Sequence, residues 1–311
     1  MLKLMAGWTL LLVLIVIGAR RMWQAPKPET YTHKAAAAAN GALTEEETIL
    51  LQAAVPKCAA EFSAFLASPT PEERNQFVLS PVTTASRMSR FYSLNSWTHI
   101  DPTKTQIVGR SILRLPGTTA IETHWKTEDG KQLDAVFRQE NDEWRLDWEQ
   151  FARFSDYPWA LYLAGTGPDD AEFRLLARER LAEERKDEST ISIVLYAPVF
   201  GLPGETGTQS PEFLVPRDSA DGRLLAAAFQ LARDHQRPFG ATLPDLNPED
   251  MIRLRLKIHR SDTDTGRSFQ ITSIAACHWY SCDAPGVEIT APPADGITPA
   301  PELPTPESEG Q

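Results

Sequence analysis

The sequence predicts an α+β protein in which an N-terminal membrane helix precedes two modules. Three observations lead to this prediction: an uncharged apolar run at residues 4–19, helical apolar spacing between residues 44 and 94, and period-2 alternation from residue 106 onward. The chain has 311 residues, of which 42% are hydrophobic, enough to build about two domains with apolar cores. Its net charge of −11 disfavours nucleic-acid binding, because a phosphate backbone requires a basic surface.

The uncharged run forms most of a predicted membrane anchor at residues 4–23. At 1.5 Å per residue the run spans about 24 Å, short of a hydrocarbon core of ~30 Å, and the two residues after Arg20-Arg21 extend it if these arginines snorkel. A cleaved signal peptide is the alternative, but no small-x-small cleavage site precedes the arginine pair. We therefore expect residues 4–23 to contact the lipid bilayer.

The charges that flank the anchor leave its orientation open. Most cations follow it and only Lys3 precedes it, so the positive-inside rule favours a cytoplasmic body. A short head followed at once by an apolar run is also how an export signal begins.

Residues 24–42, rich in Pro, Ala and Gly, predict a flexible linker. Residues 284–311 contain seven prolines and no basic residue, which predicts a disordered acidic tail.

Residues 43–164 predict helices followed by a curved antiparallel sheet. Thr44 with Glu47 forms a capping box, and Thr70-Pro71 and Ser80-Pro81 are further helix starts. Apolar spacing continues on both sides of Pro56, where we expect a kink or break. Strands are predicted at 107–115, 118–126, 131–139 and 143–148, and the short turns between them indicate a meander. Alternation places apolar residues on the face that the helices cover and polar residues on a face toward water.

Residues 169–283 predict a smaller β-rich domain with one helix. The predicted order is strands at 172–180, 190–199 and 212–216, a helix at 219–233, and strands at 251–260 and 269–279. This order is that of an OB-type barrel. The segment that begins at residue 172 also fits a charged helix with Glu–Arg pairs four residues apart.

Several stretches resemble a group of uncharacterised bacterial single-pass membrane-anchored proteins. They are FLASPTPEERNQFVLSP…MSRFY, a meander that ends WRLDWEQFARFSDYPW, and VPRDSADGRLLAAAFQLA…IRLRLKIHR…ITSI. The resemblance covers residues 60–280 and implies that the first domain is a cystatin-like cone of the nuclear-transport-factor-2-like superfamily. It also implies a body outside the cytoplasm, at the plasma (inner) membrane. It implies no activity.

Such cones commonly hold a pocket in which an Asp or His acts as a general acid or base. The candidates here are Tyr92, His99, Asp101, His124, Asp134 and Asp147. Alternation places His124, Asp134 and Asp147 on the wet face, while Trp and Phe side chains point inward. We therefore expect an interior filled with aromatic residues, and we retain only His99 and Asp101, which precede the first strand, as catalytic candidates.

The cysteines predict no cofactor or metal site. Cys277 and Cys282 in a straight strand lie up to ~16 Å apart. A disulfide needs Cα atoms within ~7 Å, so the chain must turn there if the two are bridged. Free thiols are the alternative, and His278 alone is a poor basis for a metal site. Cys58 lies among apolar residues of the first helix and is predicted to be a core thiol.

A basic stripe follows one predicted strand face, comprising Arg253, Arg255, Lys257 and His259. It is either a solvated face or a contact for anionic lipid, for a partner's acidic surface or for a nucleic-acid strand.

The chain has no phosphate-binding glycine loop and no nucleophile elbow. The sequence thus predicts a non-catalytic, membrane-anchored interaction or scaffold protein with a protein partner. The alternative is small-ligand binding or enzymatic activity in the cone cavity.

Overall fold

The computed structural model describes residues 43–95, 99–180, 188–264 and 266–289. The predicted anchor (4–23), the linker (24–42) and the predicted tail beyond residue 289 lie outside the described residues. Within them the protein is α+β, with two antiparallel sheets that each have an apolar core.

Helices α1 (Glu45–Ala67), α2 (Pro71–Arg74) and α3 (Pro81–Leu94) come first. The predicted capping box at the start of α1 is confirmed, because the Thr44 hydroxyl accepts from the Glu47 N–H and the Glu47 carboxylate accepts from the Thr44 N–H. No break occurs at Pro56, which lies inside α1. Buried residues on both sides of the proline pack on the first sheet, and this packing outweighs the local preference to end the helix.

Helix α1 is long and apolar enough to cross a membrane by length and composition, which is weak evidence for anchoring. Seven of its residues are buried: Leu51, Ala54, Val55, Cys58, Phe62, Phe65 and Leu66. They belong to the first apolar core, so within the described residues α1 covers the first sheet. It is not the anchor predicted at residues 4–23.

The first sheet contains β1 (Thr105–Leu115), β2 (Thr118–Thr127), β3 (Gln132–Glu140) and β4 (Glu143–Leu146). Its strand order is β1-β2-β3-β4 and every pairing is antiparallel, so the predicted meander is confirmed. The chain then forms the short helices α4 (Trp148–Phe151) and α5 (Trp159–Leu163). Trp148 therefore begins a helix, whereas we expected it to end a strand.

The second sheet contains β5 (Asp170–Glu179), β6 (Thr190–Pro198), β7 (Thr206–Pro216), β8 (Met251–Thr263) and β9 (Gly266–Ala276), in the order β7-β6-β5-β8-β9. Helix α6 (Ala220–Arg233) packs on this sheet, and the Ser219 hydroxyl caps it by accepting from the Gly222 N–H. The charged-helix alternative for the first of these strands is wrong, because Phe173 and Leu175 pair in the sheet and are buried in its core. Strand β9 ends at Ala276, three residues before the predicted end.

Candidate functional site

His99 and Asp101, the two retained catalytic candidates, lie in the loop before β1. The Asp101 carboxylate accepts hydrogen bonds from the Thr103 N–H (2.9 Å) and the Thr103 hydroxyl (2.7 Å), which caps the short turn Pro102–Lys104. These hydrogen bonds hold the pKa of Asp101 below its ordinary value. The His99 side chain is exposed. The structure therefore gives Asp101 a local role in the turn that leads into the sheet.

The interior of the first module is packed with aromatic rings, as alternation predicted. The Phe62 ring lies 4.7 Å from that of Trp125, 5.4 Å from that of Phe151 and 6.2 Å from that of Phe137, centroid to centroid. Tyr92, the remaining candidate in this region, accepts a hydrogen bond from the Trp148 indole N–H. Burial raises the pKa of Tyr92 to about 12, so the phenol stays protonated at neutral pH.

The polar face of the first sheet is largely covered rather than open to water, so this part of the prediction is wrong for most of the face, although Lys126 is exposed. Glu122, His124, Asp134 and Asp147 are all buried, with Glu122 fully so. The alternation that separates the two faces is correct. The second module covers the polar face and brings arginine side chains to its carboxylates, and sequence periodicity carries no information about such a partner.

Asp134 lies at the centre of this buried junction. Its Oδ2 atom accepts from Arg253 Nη1 (2.8 Å) and Gln150 Nε2 (2.9 Å), and its Oδ1 atom lies 3.6 Å from Arg153 Nη2. Burial alone raises the pKa of Asp134, but the charges of Arg253 and Arg153 outweigh it and hold the pKa at about 2. The carboxylate is therefore ionised at neutral pH and serves as the counter-charge of two buried guanidinium groups.

A second buried ion pair joins Glu122 of β2 to Arg237, which follows α6. The contact is bidentate, with Nη2–Oε1 and Nη1–Oε2 distances of 2.6 and 2.9 Å. His124 lies nearby on the same strand, and burial lowers the pKa of its imidazole. The imidazole is therefore neutral at physiological pH.

Trp279 links the two modules. Two guanidinium groups lie over its ring, that of Arg253 at 4.7 Å and that of Arg153 at 5.7 Å from the centroid. Its indole N–H donates to the carbonyls of Leu175 (3.3 Å) and Leu254 (3.2 Å). The ring is buried, so cation–π contact and hydrogen bonding both fix its position.

The predicted basic surface is largely absent. Arg253 is buried in the ion pair with Asp134, and Arg255 donates to the carbonyls of Tyr280 (3.1 Å) and Cys282 (2.7 Å). Lys257 is exposed, and His259 contacts Asp170 at the protein surface. The stripe therefore turns inward at one end, and only Lys257 and His259 remain at the surface.

Of the two alternatives for Cys277 and Cys282, the structure has the free thiols, and Cys58 is a free thiol as well. The Cys277 sulfur lies 3.9 Å from the Leu224 carbonyl within the second core, whereas the Cys282 sulfur lies 3.8 Å from His278 Nε2. Cys58 is fully buried, as predicted for a core thiol. Within the described ranges, no group of three or more His, Cys, Asp or Glu side chains could hold a metal ion.

His278 has its two ring nitrogens occupied by the backbone. The N–H of Tyr280 donates to Nδ1 (3.1 Å), which leaves Nε2 to donate to the Ala284 carbonyl (2.7 Å). Burial lowers the pKa of His278 to about 3. Because the neutral ring is held in this tautomer, its role in the described structure is to fix the turn after β9.

A polar cleft of about 360 Å³ lies at the edge of the junction. One wall carries Arg138 of β3 with Asp147 and Glu149 of the α4 region, and the other carries Arg255 of β8 with Ser281. Asp147 accepts from the Ser281 N–H (2.7 Å) and hydroxyl (2.6 Å), so this contact joins the two walls. Sequence reasoning did not select Arg138. The only signal for it was its place on the polar face of the predicted sheet.

Comparison with protein-family models, with curated proteins and with solved structures finds no match to this chain. Functional conclusions therefore depend on the junction and the cleft themselves.

Proposed function

We propose that the protein is a non-catalytic interaction or scaffold module, held at the plasma (inner) membrane by residues 4–23 and displayed outside the cytoplasm on the linker 24–42. One observation carries this proposal: the acidic and aromatic groups of the first module are committed to internal contacts. The carboxylates of Glu122 and Asp134 are buried against arginines. The opposite face is filled by aromatic packing around Phe62.

The state of the titratable groups supports the same proposal. A general acid or base works best with a pKa near the operating pH and with access to the reacting atom. Asp134 has a pKa of about 2 and His278 of about 3, and both are buried. Tyr92, with a pKa of about 12, is hydrogen-bonded to Trp148. None of these groups combines a suitable pKa with access to substrate.

The alternative, a ligand or enzyme site in the cone cavity, gains no specific support. The rings of Phe62, Trp125 and Phe151 occupy the space that such a cavity would need. Nucleic-acid binding stays disfavoured, because Arg253 is not available at the surface and the net charge is −11.

The finer fold assignments belong to this proposal. Helices that precede a four-stranded antiparallel meander support a cystatin-like domain at residues 43–164. Three strands, a helix and two strands in chain order support an OB-like domain at residues 169–283. The extensive burial between them favours two modules that act as one body, since little of the polar face of the first sheet is left exposed.

Photo-crosslinking in cells tests whether the full-length protein binds a partner. A photoreactive residue at Val82 or Leu214, whose side chains are 91% and 63% exposed, is compared with one at Asp142 in an exposed polar turn. We expect a discrete adduct with one protein from an apolar position and none from Asp142. No adduct at either apolar position would overturn the proposal. Turnover of a small carbonyl compound by the purified protein, lost in Asp101→Asn, would overturn it as well.

Protease accessibility tests the side of the membrane independently. Protease is added to intact spheroplasts, and the C-terminal segment is followed with an antibody. Digestion supports a body outside the cytoplasm. Protection until lysis would place the body in the cytoplasm, as the positive-inside count favours.

A further inference from the structure

We infer that the polar cleft between the two modules is a binding site for a small carboxylate, with Arg138 as its principal ligand-binding residue. This inference goes beyond the proposed interaction function and does not depend on it. The cleft has a volume of about 360 Å³, within the range of small-molecule sites.

Arg138 differs from the other arginines at the junction. Within the described residues its guanidinium group makes no hydrogen bond or ion pair, and its Nε atom is buried without a partner. Arg153 and Arg260 also have a buried, unpaired Nε, but their Nη1 atoms donate to the carbonyls of Val199 and Thr166, respectively. A half-buried guanidinium without an acceptor is unfavourable, and an anionic ligand would remove this penalty.

Arg255 supplies a second positive charge from the opposite wall. Its two Nη atoms are anchored on the Tyr280 and Cys282 carbonyls, which fixes the side chain. Its Nε atom is buried without a hydrogen bond, and the nearest carboxylate oxygen, from Glu172, is 3.9 Å away. Arg255 therefore adds fixed positive charge to the cleft, and hydrogen bonding to a ligand is left to the Nη atoms of Arg138.

The carboxylates on the first wall do not serve as acceptors for Arg138. Asp147 accepts from Ser281 and from the Gln150 N–H, and Glu149 is paired with both Arg87 and Arg174. The oxygens of Asp147 are therefore occupied by neutral donors and those of Glu149 by two arginines, and Arg138 remains the unpaired cation among the described residues that line the cleft.

The charges favour a singly charged, planar anion. A guanidinium fork matches the two oxygens of a carboxylate. Glu172 and the exposed Asp283 also line the cleft, and their negative charges would repel a doubly charged phosphate more strongly than a carboxylate. The charges thus indicate a monocarboxylate bound by the Nη atoms of Arg138, with Arg255 as a second positive charge in the cleft lining.

Ligand-observed saturation-transfer NMR on the full-length protein in non-ionic micelles tests this site at constant ionic strength. The probe is benzoate, its neutral isostere benzamide is the control ligand, and empty micelles provide the blank. We expect saturable benzoate binding that Arg138→Gln weakens about tenfold, the size of effect that loss of one charge-assisted contact produces. Benzamide should bind much more weakly.

A matched variant and a stability measurement separate binding from folding. Arg110→Gln removes the same charge from an exposed position of the first sheet and should leave benzoate affinity unchanged. Arg138→Gln should unfold near the wild-type temperature without ligand, because no described contact is lost. If Arg138→Gln instead unfolds at a clearly lower temperature, Arg138→Lys is used, which keeps the charge and should still bind benzoate less tightly than wild type.

Three outcomes would overturn the inference. They are equal benzoate binding by Arg138→Gln and wild type, equal binding of benzamide and benzoate, and displacement of benzoate by inorganic phosphate at lower concentration than by acetate. The last outcome would replace the carboxylate with a phosphate ligand.

Discussion

Replacing Asp134 by asparagine tests how the two modules are held together. The substitution keeps the shape of the side chain and removes its charge. Arg253 and Arg153, whose side chains are 7% and 5% exposed, would then lie in the junction without their shared counter-ion. The single acceptor oxygen of asparagine can still accept from Arg253 and Gln150, but the amide NH2 then takes the place of Oδ1 and faces Arg153 as a second donor.

The expected loss is large for a single substitution. Removing one partner of a buried ion pair destabilises a protein by about 3–5 kcal/mol, because a charge stays buried without compensation. For a chain of this length we take about 2 °C per kcal/mol, which gives a decrease of about 6–10 °C in the unfolding temperature. Two arginines depend on Asp134, so the upper part of this range is expected.

Thermal unfolding of the full-length protein, followed by tryptophan fluorescence, measures the effect. Trp279 contacts both affected arginines, so it contributes a signal from the junction to the summed emission of the eight tryptophans. Asp142→Asn is the matched control, because Asp142 is exposed in a turn with φ of 64°, a conformation that asparagine also adopts readily. Its effect should stay within about 0.5 kcal/mol. Equal shifts for the two variants would refute the assignment of Asp134 as a buried counter-ion.

Three further predictions concern pH, a glycine and the thiols. The free energy of unfolding should decrease as the pH falls from about 4 to 2, because the folded pKa of Asp134 is about 2 and its ordinary value is 3.8. Ionised Asp134 stabilises the folded state by about 2–3 kcal/mol above its ordinary pKa, and this stabilisation is lost as the pH falls through its folded pKa. Asp134→Asn should therefore lack this decrease when the free energy of unfolding is measured against pH. Gly222→Ala should destabilise the protein by about 1–3 kcal/mol in thermal unfolding, although alanine favours helices, because its Cβ would lie 2.0 Å from the Pro216 carbonyl oxygen. A maleimide should modify half-buried Cys282 before buried Cys277, as read by peptide mass spectrometry; a native mass two hydrogens lower would instead reveal a bridge.

Local sequence patterns predict the sides of the first sheet well. Side chains alternate in a strand, so Ile121 and Trp125 enter the aromatic core while Glu122 and His124 lie on the other face. Alternation says only that two faces differ, and it cannot say what covers each of them. The partner of Glu122 is Arg237, more than a hundred residues later in a segment without regular periodicity.

Long-range pairing also decides the open and incorrect points in the second module. The segment at β5 carries Glu–Arg spacings that suit a helix, but Phe173 and Leu175 are buried between neighbouring strands, and this burial decides the structure. Strand β7 begins at Thr206 rather than at residue 212, because pairing with β6 extends it beyond its alternating part. Arg253 has the alternation of a solvated strand face, yet its partner is on the other module. Long-range pairing decides each of these cases, and it leaves no local signal.

The buried ion pairs explain how the cleft can keep its shape. Such pairs contribute little net stability compared with apolar packing, but any arrangement that separates them leaves charges buried and unpaired. Neighbouring strands are about 4.8 Å apart, so a slide of one module by a single strand would separate Asp134 from Arg253. Arg138 lies four residues from Asp134 along β3, and Arg255 lies two residues from Arg253 along β8. Because even spacing keeps each pair on one face of its strand, the ion pair that fixes the junction also fixes the distance between the two cleft arginines.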